Sequence, residues 1–198
     1  MASVEALTYA YARFVALPWD ARLAGPQKIW FALYTPADER RLRARLGAFE
    51  VATIKAGHGW TGHDLTDEFA VWLAGYPYRN RFFQSPQFLT NDALKAFDRY
   101  LAERLRATLT ASEVDEHTVV AVWGVASLFG LTRVSRLLEA TSEQIRGRLL
   151  IAQGIPARVV METLGHSQIS LTMDTYAHIF SDVQRQAADA MDRLFETA

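Results

Sequence analysis

Four short strand-like segments, separated by amphipathic stretches, constrain the fold of this chain more than any other feature. They are QKIWFALYT, GWTGHDLT, TVVAVW and RGRLLIAQG, and the first and third are continuous apolar runs. Continuous apolar strands are typical of a sheet that is buried on both faces. Helical patterns fill the intervals, and alternating strands and helices favour a parallel sheet. We therefore predict an α/β fold: a three-layer, mostly parallel sheet with helices on both faces.

The clearest predicted helix lies in TPADERRLRARLGAFEVATIKAGHG, directly after the first strand. Thr35 is a suitable N-cap, Pro36 suits the first helical position, and Gly57 ends the pattern. The predicted buried stripe consists of Leu42, Leu46, Phe49 and Thr53. Further on, PYRNRFFQSPQFLT is predicted to be an irregular aromatic connection, and Asn91 is expected to cap the helix that follows it.

The pattern changes after the fourth strand. Three helical segments, PARVVMETLG, SLTMDTYAHIF and SDVQRQAADAMDRLF, follow one another without a strand between them. We predict an α/β domain over residues 1–153 and a C-terminal, all-helical appendage over residues 154–198.

Composition narrows the class of protein. The 198 residues carry 21 basic and 22 acidic side chains, for a net charge of -1, whereas dedicated DNA-binding domains are usually more basic. The absence of cysteine excludes disulfides and thiolate metal sites. No apolar run approaches the roughly 20 residues that span a membrane. The N-terminus also lacks the basic start and cleavage site of a secretory signal, so we expect a cytoplasmic protein.

Three groups of residues suggest chemistry, and each also has a structural interpretation. Gly124 and Gly130 lie in a strand-loop-helix segment, but a Walker loop also needs a lysine, and none occurs from Thr118 to Leu150. We favour a tight turn there and expect no cofactor.

A second group invites a metal hypothesis, but its spacing fits no compact ligand pattern, so we favour structural use and expect no metal. It comprises His58, His63, Asp64, Asp67 and Glu68.

The third group is basic, falls on the polar side of the predicted helix and is interpreted as a solvated face. It comprises Arg40, Arg41, Arg43 and Arg45.

Residues from about 14 to 150 resemble the BrxB family of BREX phage-defence systems. The resemblance is carried by the Tyr34-Thr35-Pro36 strand end, by AGHGW from Ala56 and by GVASLFG from Gly124. That family is not known as an enzyme. The resemblance implies a BREX accessory protein that acts through protein contacts, with a PglZ-type phosphatase-like component as the expected partner.

Residues from about 149 to 195 resemble the C-terminal end of tyrosine recombinases, the phage-integrase family. His166 matches the histidine of that family's Leu-Gly-His motif, and Tyr176, ten residues later, matches the nucleophile that attacks a DNA phosphate. The two resemblances meet at RGRLLIAQG, so we interpret the chain as a fusion. The alternative function that the tail implies is DNA binding, integration and recombination.

The chemistry of strand transfer argues against an active Tyr176. A phenol is a weak nucleophile, and the phosphoryl transition state needs preorganised cationic donors. The family's His-x-x-Arg-His box would fall on Ala140-Thr141-Ser142-Glu143-Gln144, where Glu143 replaces the arginine with a charge of the wrong sign. Losing one such donor commonly costs about 100-fold in rate. We therefore predict a non-catalytic interaction protein with no active catalytic residue, and DNA as a partner only in the alternative.

Overall fold

The sheet contains the four predicted strands, and every neighbouring pair is parallel. The structure, a computed structural model, describes residues 3–154. Within them the strands are β1 (Ile29–Leu33), β2 (Gly59–Asp64), β3 (Thr118–Trp123) and β4 (Arg148–Gln153). Their order across the sheet is β1-β4-β3-β2, so β4 is an interior strand and β1 and β2 are the edges of the described sheet. The α/β prediction is confirmed.

Six α-helices connect and cover these strands within residues 3–154. They are α1 (Val4–Val15), α2 (Glu39–Lys55), α3 (Glu68–Gly75), α4 (Arg79–Gln84), α5 (Asn91–Leu109) and α6 (Val134–Thr141). Short 3-10 turns join several of them, at Gly25–Lys28, Pro36–Asp38, Pro86–Phe88, Val125–Leu128 and Ser142–Gln144.

The start of α2 differs from the prediction. Thr35 precedes a 3-10 turn rather than the α-helix, which begins at Glu39. The Thr35 hydroxyl donates to Asp38 Oδ2 at 2.7 Å instead of capping a backbone N–H. The end of the helix is as predicted, because Gly57 adopts a left-handed conformation with φ of 85°. Of the predicted stripe, Leu42, Phe49 and Thr53 are buried and Leu46 is half-buried.

The aromatic connection is more ordered than the sequence predicts. It contains α4 and the Pro86–Phe88 turn, so the prediction of a wholly irregular segment is wrong. The following helix begins with Asn91, and Thr90 takes the N-cap position predicted for Asn91.

Two hydrophobic clusters pack against the two faces of the sheet. On one face, α1 and α2 cover alternate strand residues and pack Tyr11 and Phe49 with their ring centroids 4.9 Å apart. The strand side chains of that cluster are Trp30, Ala32, Val119, Ala121, Leu150 and Ala152. On the other face, α3, α5 and α6 cover the remaining strand side chains, namely Ile29, Phe31, Val120, Val122, Leu149 and Ile151. The predicted three-layer arrangement therefore holds over the described residues.

A buried arginine fastens the segment after α1 to the sheet. Arg148, at the start of β4, is 3% exposed, and its guanidinium carbon lies 4.8 Å from the Trp19 ring centroid and 5.7 Å from that of Trp30. It donates to the carbonyls of Gly147 at 2.9 Å and Asp20 at 3.2 Å. Burial disfavours the charged guanidinium and lowers the pKa of Arg148. The two indole faces and the two carbonyls offset part of the free-energy cost of burying this charge.

The predicted helical appendage lies outside the described residues, apart from Gly154. Among the helices of residues 3–154, none combines the length and apolar character that crossing a bilayer requires.

Candidate functional site

The carboxyl ends of the strands are the first place to look for a site, because open parallel sheets bind their ligands there. A chain of polar side chains crosses this end of the sheet from β1 to β2. Three strand spacings, about 14 Å, separate the edge strands β1 and β2. Two side chains of helix α2, Glu39 and Arg43, bridge this distance.

Each member of this carboxyl-end network contacts the next. Tyr34, after β1, donates its hydroxyl to Glu39 Oε2, and Arg43 Nε donates to Glu39 Oε1 at 2.8 Å. Arg43 Nη2 then donates to Thr66 Oγ1 at 2.7 Å, and its Nη1 lies 3.9 Å from Asp64 Oδ2. The Thr66 backbone N–H donates to Asp64 Oδ1 at 2.9 Å.

Glycines at the ends of the two middle strands make room for the network. A Cβ on Gly124, after β3, would lie 2.6 Å from Thr66 Oγ1 and 2.8 Å from Asp64 Oδ1. A Cβ on Gly154, after β4, would lie 2.8 Å from the Tyr34 ring. Gly124 also has φ of 76°, which favours glycine.

The surroundings of three members of the network shift their pKa values. Burial raises the pKa of the Asp64 carboxyl, but hydrogen bonds from Thr66 and Trp123 outweigh burial and lower it below its usual range. The hydrogen bond to Glu39 raises the pKa of Arg43. Burial and the Glu39 carboxylate both raise the pKa of Tyr34. The charged groups thus satisfy one another, and the network ties α2 to the ends of β1 and β2.

The residues of the metal hypothesis are separated by the fold. His58 stacks on Trp19 with ring centroids 3.7 Å apart, and His63 Nδ1 lies 2.9 Å from Thr108 Oγ1. Asp64 belongs to the network, and Asp67 takes the N-cap position of α3. Within residues 3–154, no three histidine or acidic side chains converge as metal ligands do.

Glu68, the fifth member of that group, has a partner on α5. It is 6% exposed, accepts a hydrogen bond from the Tyr100 hydroxyl at 2.7 Å and forms an ion pair with Arg104 Nη2 at 3.2 Å. This contact joins the first residue of α3 to α5.

The predicted basic face of α2 is paired with acids. Arg41 contacts Asp38 at 3.1 Å, and Arg45 contacts Glu5 on α1 at 3.3 Å. Arg43 belongs to the network, and Arg40 is exposed. The loop after β3 is the predicted tight turn, in which the Ser127 hydroxyl donates to the carbonyls of Gly124 and Leu65.

The two recombinase-like residues, His166 and Tyr176, lie outside the described residues. Glu143, the position at which the recombinase resemblance predicts an arginine, lies within the described residues. It is exposed in the turn before β4, and its backbone packs against Gly25.

The aromatic connection predicted from the sequence forms an exposed aromatic arm, residues 76–88, and this exposure was not predicted. Tyr78 is 68% exposed, Phe83 67% and Phe88 40%. The arm is anchored from within, because the Tyr76 ring lies 4.9 Å from that of Trp72 and 5.2 Å from that of Phe82. Tyr76 and Phe82 therefore hold the arm while three other aromatic rings face solvent.

The charge of the arm differs from that of the rest of the chain. Residues 69–91 contain Arg79 and Arg81 and no acidic residue. The Arg81 guanidinium carbon lies 3.8 Å from the Phe88 ring centroid, so the cation and the ring form one surface. The sequence signal was this interleaving of arginine and aromatic residues without an acid, in a segment that fits neither helical nor strand periodicity.

No protein-family model, curated protein or solved structure matches this chain.

Proposed function

We propose that this protein is a non-catalytic interaction component of a BREX-type phage-defence system and acts in the cytoplasm. The proposal combines the resemblance of residues 14–150 to the BrxB family with the aromatic arm. In this proposal the arm binds a partner protein, with a PglZ-type component as the expected partner.

The exposed arm is the observation that carries the proposal. Large contiguous apolar patches are rare on the surface of monomeric proteins and usually mark interaction sites, and the arm carries three exposed aromatic rings. Tyrosine, phenylalanine and arginine are enriched in protein interfaces, and tyrosine and arginine often contribute most of the binding energy. Because the arm carries Arg79 and Arg81 without an acid, the complementary surface is apolar and carries acidic side chains.

Charge favours a protein partner over a nucleic acid. Binding to a phosphate backbone needs several cations on one surface, and the arm supplies two, in a chain of net charge -1. The carboxyl-end network supports a non-catalytic role, because its charged groups are held by one another and fasten the fold.

The identity of the partner can be tested by affinity capture from a lysate of cells that carry the gene. The full chain is compared with a variant in which Tyr78, Phe83 and Phe88 are all serine. A matched control places serine at three exposed apolar positions of the opposite layer, Tyr9, Val51 and Ile54, which are 50–67% exposed. Recovery of BREX components by the wild type and the control, but not by the arm variant, is expected. Equal recovery by all three would refute the role of the arm.

A second candidate function rests on the ten-residue spacing of His166 and Tyr176 in the recombinase-like tail. It is DNA strand transfer through Tyr176. The discriminating assay incubates the full chain with labelled DNA, denatures it and looks for a covalent adduct. Our proposal predicts none, whereas an adduct that Tyr176→Phe abolishes would establish the recombinase function instead.

A further inference from the structure

A cleft of about 700 Å³ lies beyond the carboxyl ends of β3 and β4, on the side of α5 and α6. It is bounded by the loop after β3, by the first turns of α5 and α6, and by Gln153 at the end of β4. Its volume is that of a site for a small molecule. It is separate from the carboxyl-end network, which lies on the side of α2.

The described lining of this cleft is cationic. Lys95, Arg133 and Arg136 line it, and no carboxylate does among the described lining residues. Two acids beyond the lining pair with two of these cations: Asp92 with Lys95 at 2.8 Å and Asp98 with Arg136 at 3.2 Å.

Both pairs leave their cations accessible. The Lys95 side chain is 66% exposed and that of Arg136 is 58% exposed, and ion pairs at such positions are weak enough to be exchanged for a ligand. Arg133 is exposed and has no ion pair within residues 3–154. The surplus positive charge of the cleft is therefore on Arg133. The side-chain amide of Asn91 also lines the cleft and can donate a further hydrogen bond, whereas the Thr132 hydroxyl already donates to Asp98.

The remaining lining is apolar. Leu94, Val125 and Leu128 line the cleft, and Phe129 is 82% exposed beside it. An exposed ring and an arginine in the lining of one cleft suit a ligand that has both a flat apolar part and an anionic part. Arginine is well suited to phosphate, because its planar donors match the phosphate oxygens.

We propose that this cleft binds a phosphorylated small molecule with an aromatic portion, of the nucleoside phosphate class. Arg133 contacts the phosphate, and Phe129 packs on the aromatic portion. This site is independent of the partner-binding role of the aromatic arm.

Calorimetric titration of the full chain tests the proposal, with ADP, pyrophosphate and adenosine as separate ligands in magnesium-free buffer. ADP is expected to bind, pyrophosphate to bind more weakly and adenosine to bind least. Arg133→Gln is expected to weaken ADP binding about tenfold, the effect of losing one hydrogen bond to a charged group. The matched control, Arg40→Gln, removes an exposed arginine from α2 and is expected to leave the affinity unchanged. Phe129→Ser is expected to weaken ADP binding and leave pyrophosphate binding intact.

Three results would overturn the proposal. One is the absence of binding by both ADP and pyrophosphate at millimolar concentration. Another is equal affinity for ADP and adenosine, because the phosphate would then not be recognised. The third is an ADP affinity that Arg133→Gln leaves unchanged, because binding would then occur elsewhere.

Discussion

From the contact between Glu68 and Arg104 we predict that substituting the two partners lowers the free energy of unfolding by different amounts. The Glu68 side chain is 7% exposed, whereas that of Arg104 is 57% exposed. When Glu68 is removed, Arg104 can turn into water at little cost. When Arg104 is removed, the buried carboxylate keeps, within residues 3–154, only its hydrogen bond from Tyr100. The arginine substitution should therefore cost more than the substitution of its partner.

The geometry sets the magnitudes. Arg104 Nε and Nη2 both donate to the same oxygen of Glu68, at 3.3 and 3.2 Å, so the pair is not a two-oxygen fork. A hydrogen bond to a charged group contributes about 1.5–3 kcal/mol, and these long contacts belong at the lower end. We expect Arg104→Gln to lower the free energy of unfolding by about 2 kcal/mol, because it also leaves the carboxylate underpartnered. Glu68→Gln keeps an acceptor for Tyr100 and should cost about 1 kcal/mol.

Urea unfolding of the wild type, both single variants and the double variant measures these terms. A loss of about 2 kcal/mol corresponds to a fall in Tm of about 4–8 °C in a chain of this size. The double variant should cost less than the sum of the two single variants, since the underpartnered carboxylate is then gone. If Glu68→Gln cost as much as Arg104→Gln, or if the two effects simply added, the asymmetric ion pair would be refuted.

Two further predictions concern glycine and pH. A Cβ on Gly47, in α2, meets nothing within 4 Å, so Gly47→Ala should raise the free energy of unfolding by about 1 kcal/mol. In contrast, Gly147→Ala would place a Cβ 2.1 Å from the Thr118 carbonyl oxygen and should lower the free energy of unfolding by about 1–3 kcal/mol. Thermal unfolding measures both variants, and shifts in Tm of the same sign would contradict the prediction. Burial lowers the pKa of His63 from 6.5, so protons bind the unfolded chain better and stability should fall as the pH drops below about 6.5. In urea titrations at pH 7.5 and 5.5, His63→Gln should reduce the loss of stability between the two pH values. The loss that remains is due to His58, because burial also lowers the pKa of that residue. If the variant lost as much stability as the wild type, His63 would not be the group responsible.

The layers of the fold were predictable because the apolar runs must be buried on both faces of a sheet. β1 and β3 carry such runs, and α2 shows a clear stripe that ends at Gly57. Helix α4 was not predictable in the same way. It has six residues, too few to show amphipathic periodicity, and it lies between Pro77 and Pro86, which indicate turns.

The site was harder to predict because it depends on strand order. β1 and β2 are consecutive in the chain but lie at opposite edges of the sheet, and no local pattern encodes that crossover. The contact of Arg43 with Thr66 depends on this strand order, whereas its contact with Glu39 is a local pair four residues apart on α2. The aromatic arm was visible in the sequence, but whether its rings face the core or solvent depends on Trp72 and Tyr76, which anchor it.

The decisive experiment measures binding of the purified full chain to a purified PglZ-type component, with and without serine substitutions in the aromatic arm. We expect replacement of Tyr78, Phe83 and Phe88 by serine to weaken binding by at least about 100-fold, as loss of interface hot spots does. The control with serine at positions 9, 51 and 54 should bind as the wild type does. Full affinity in the arm variant, or equal loss in the control, would contradict the account.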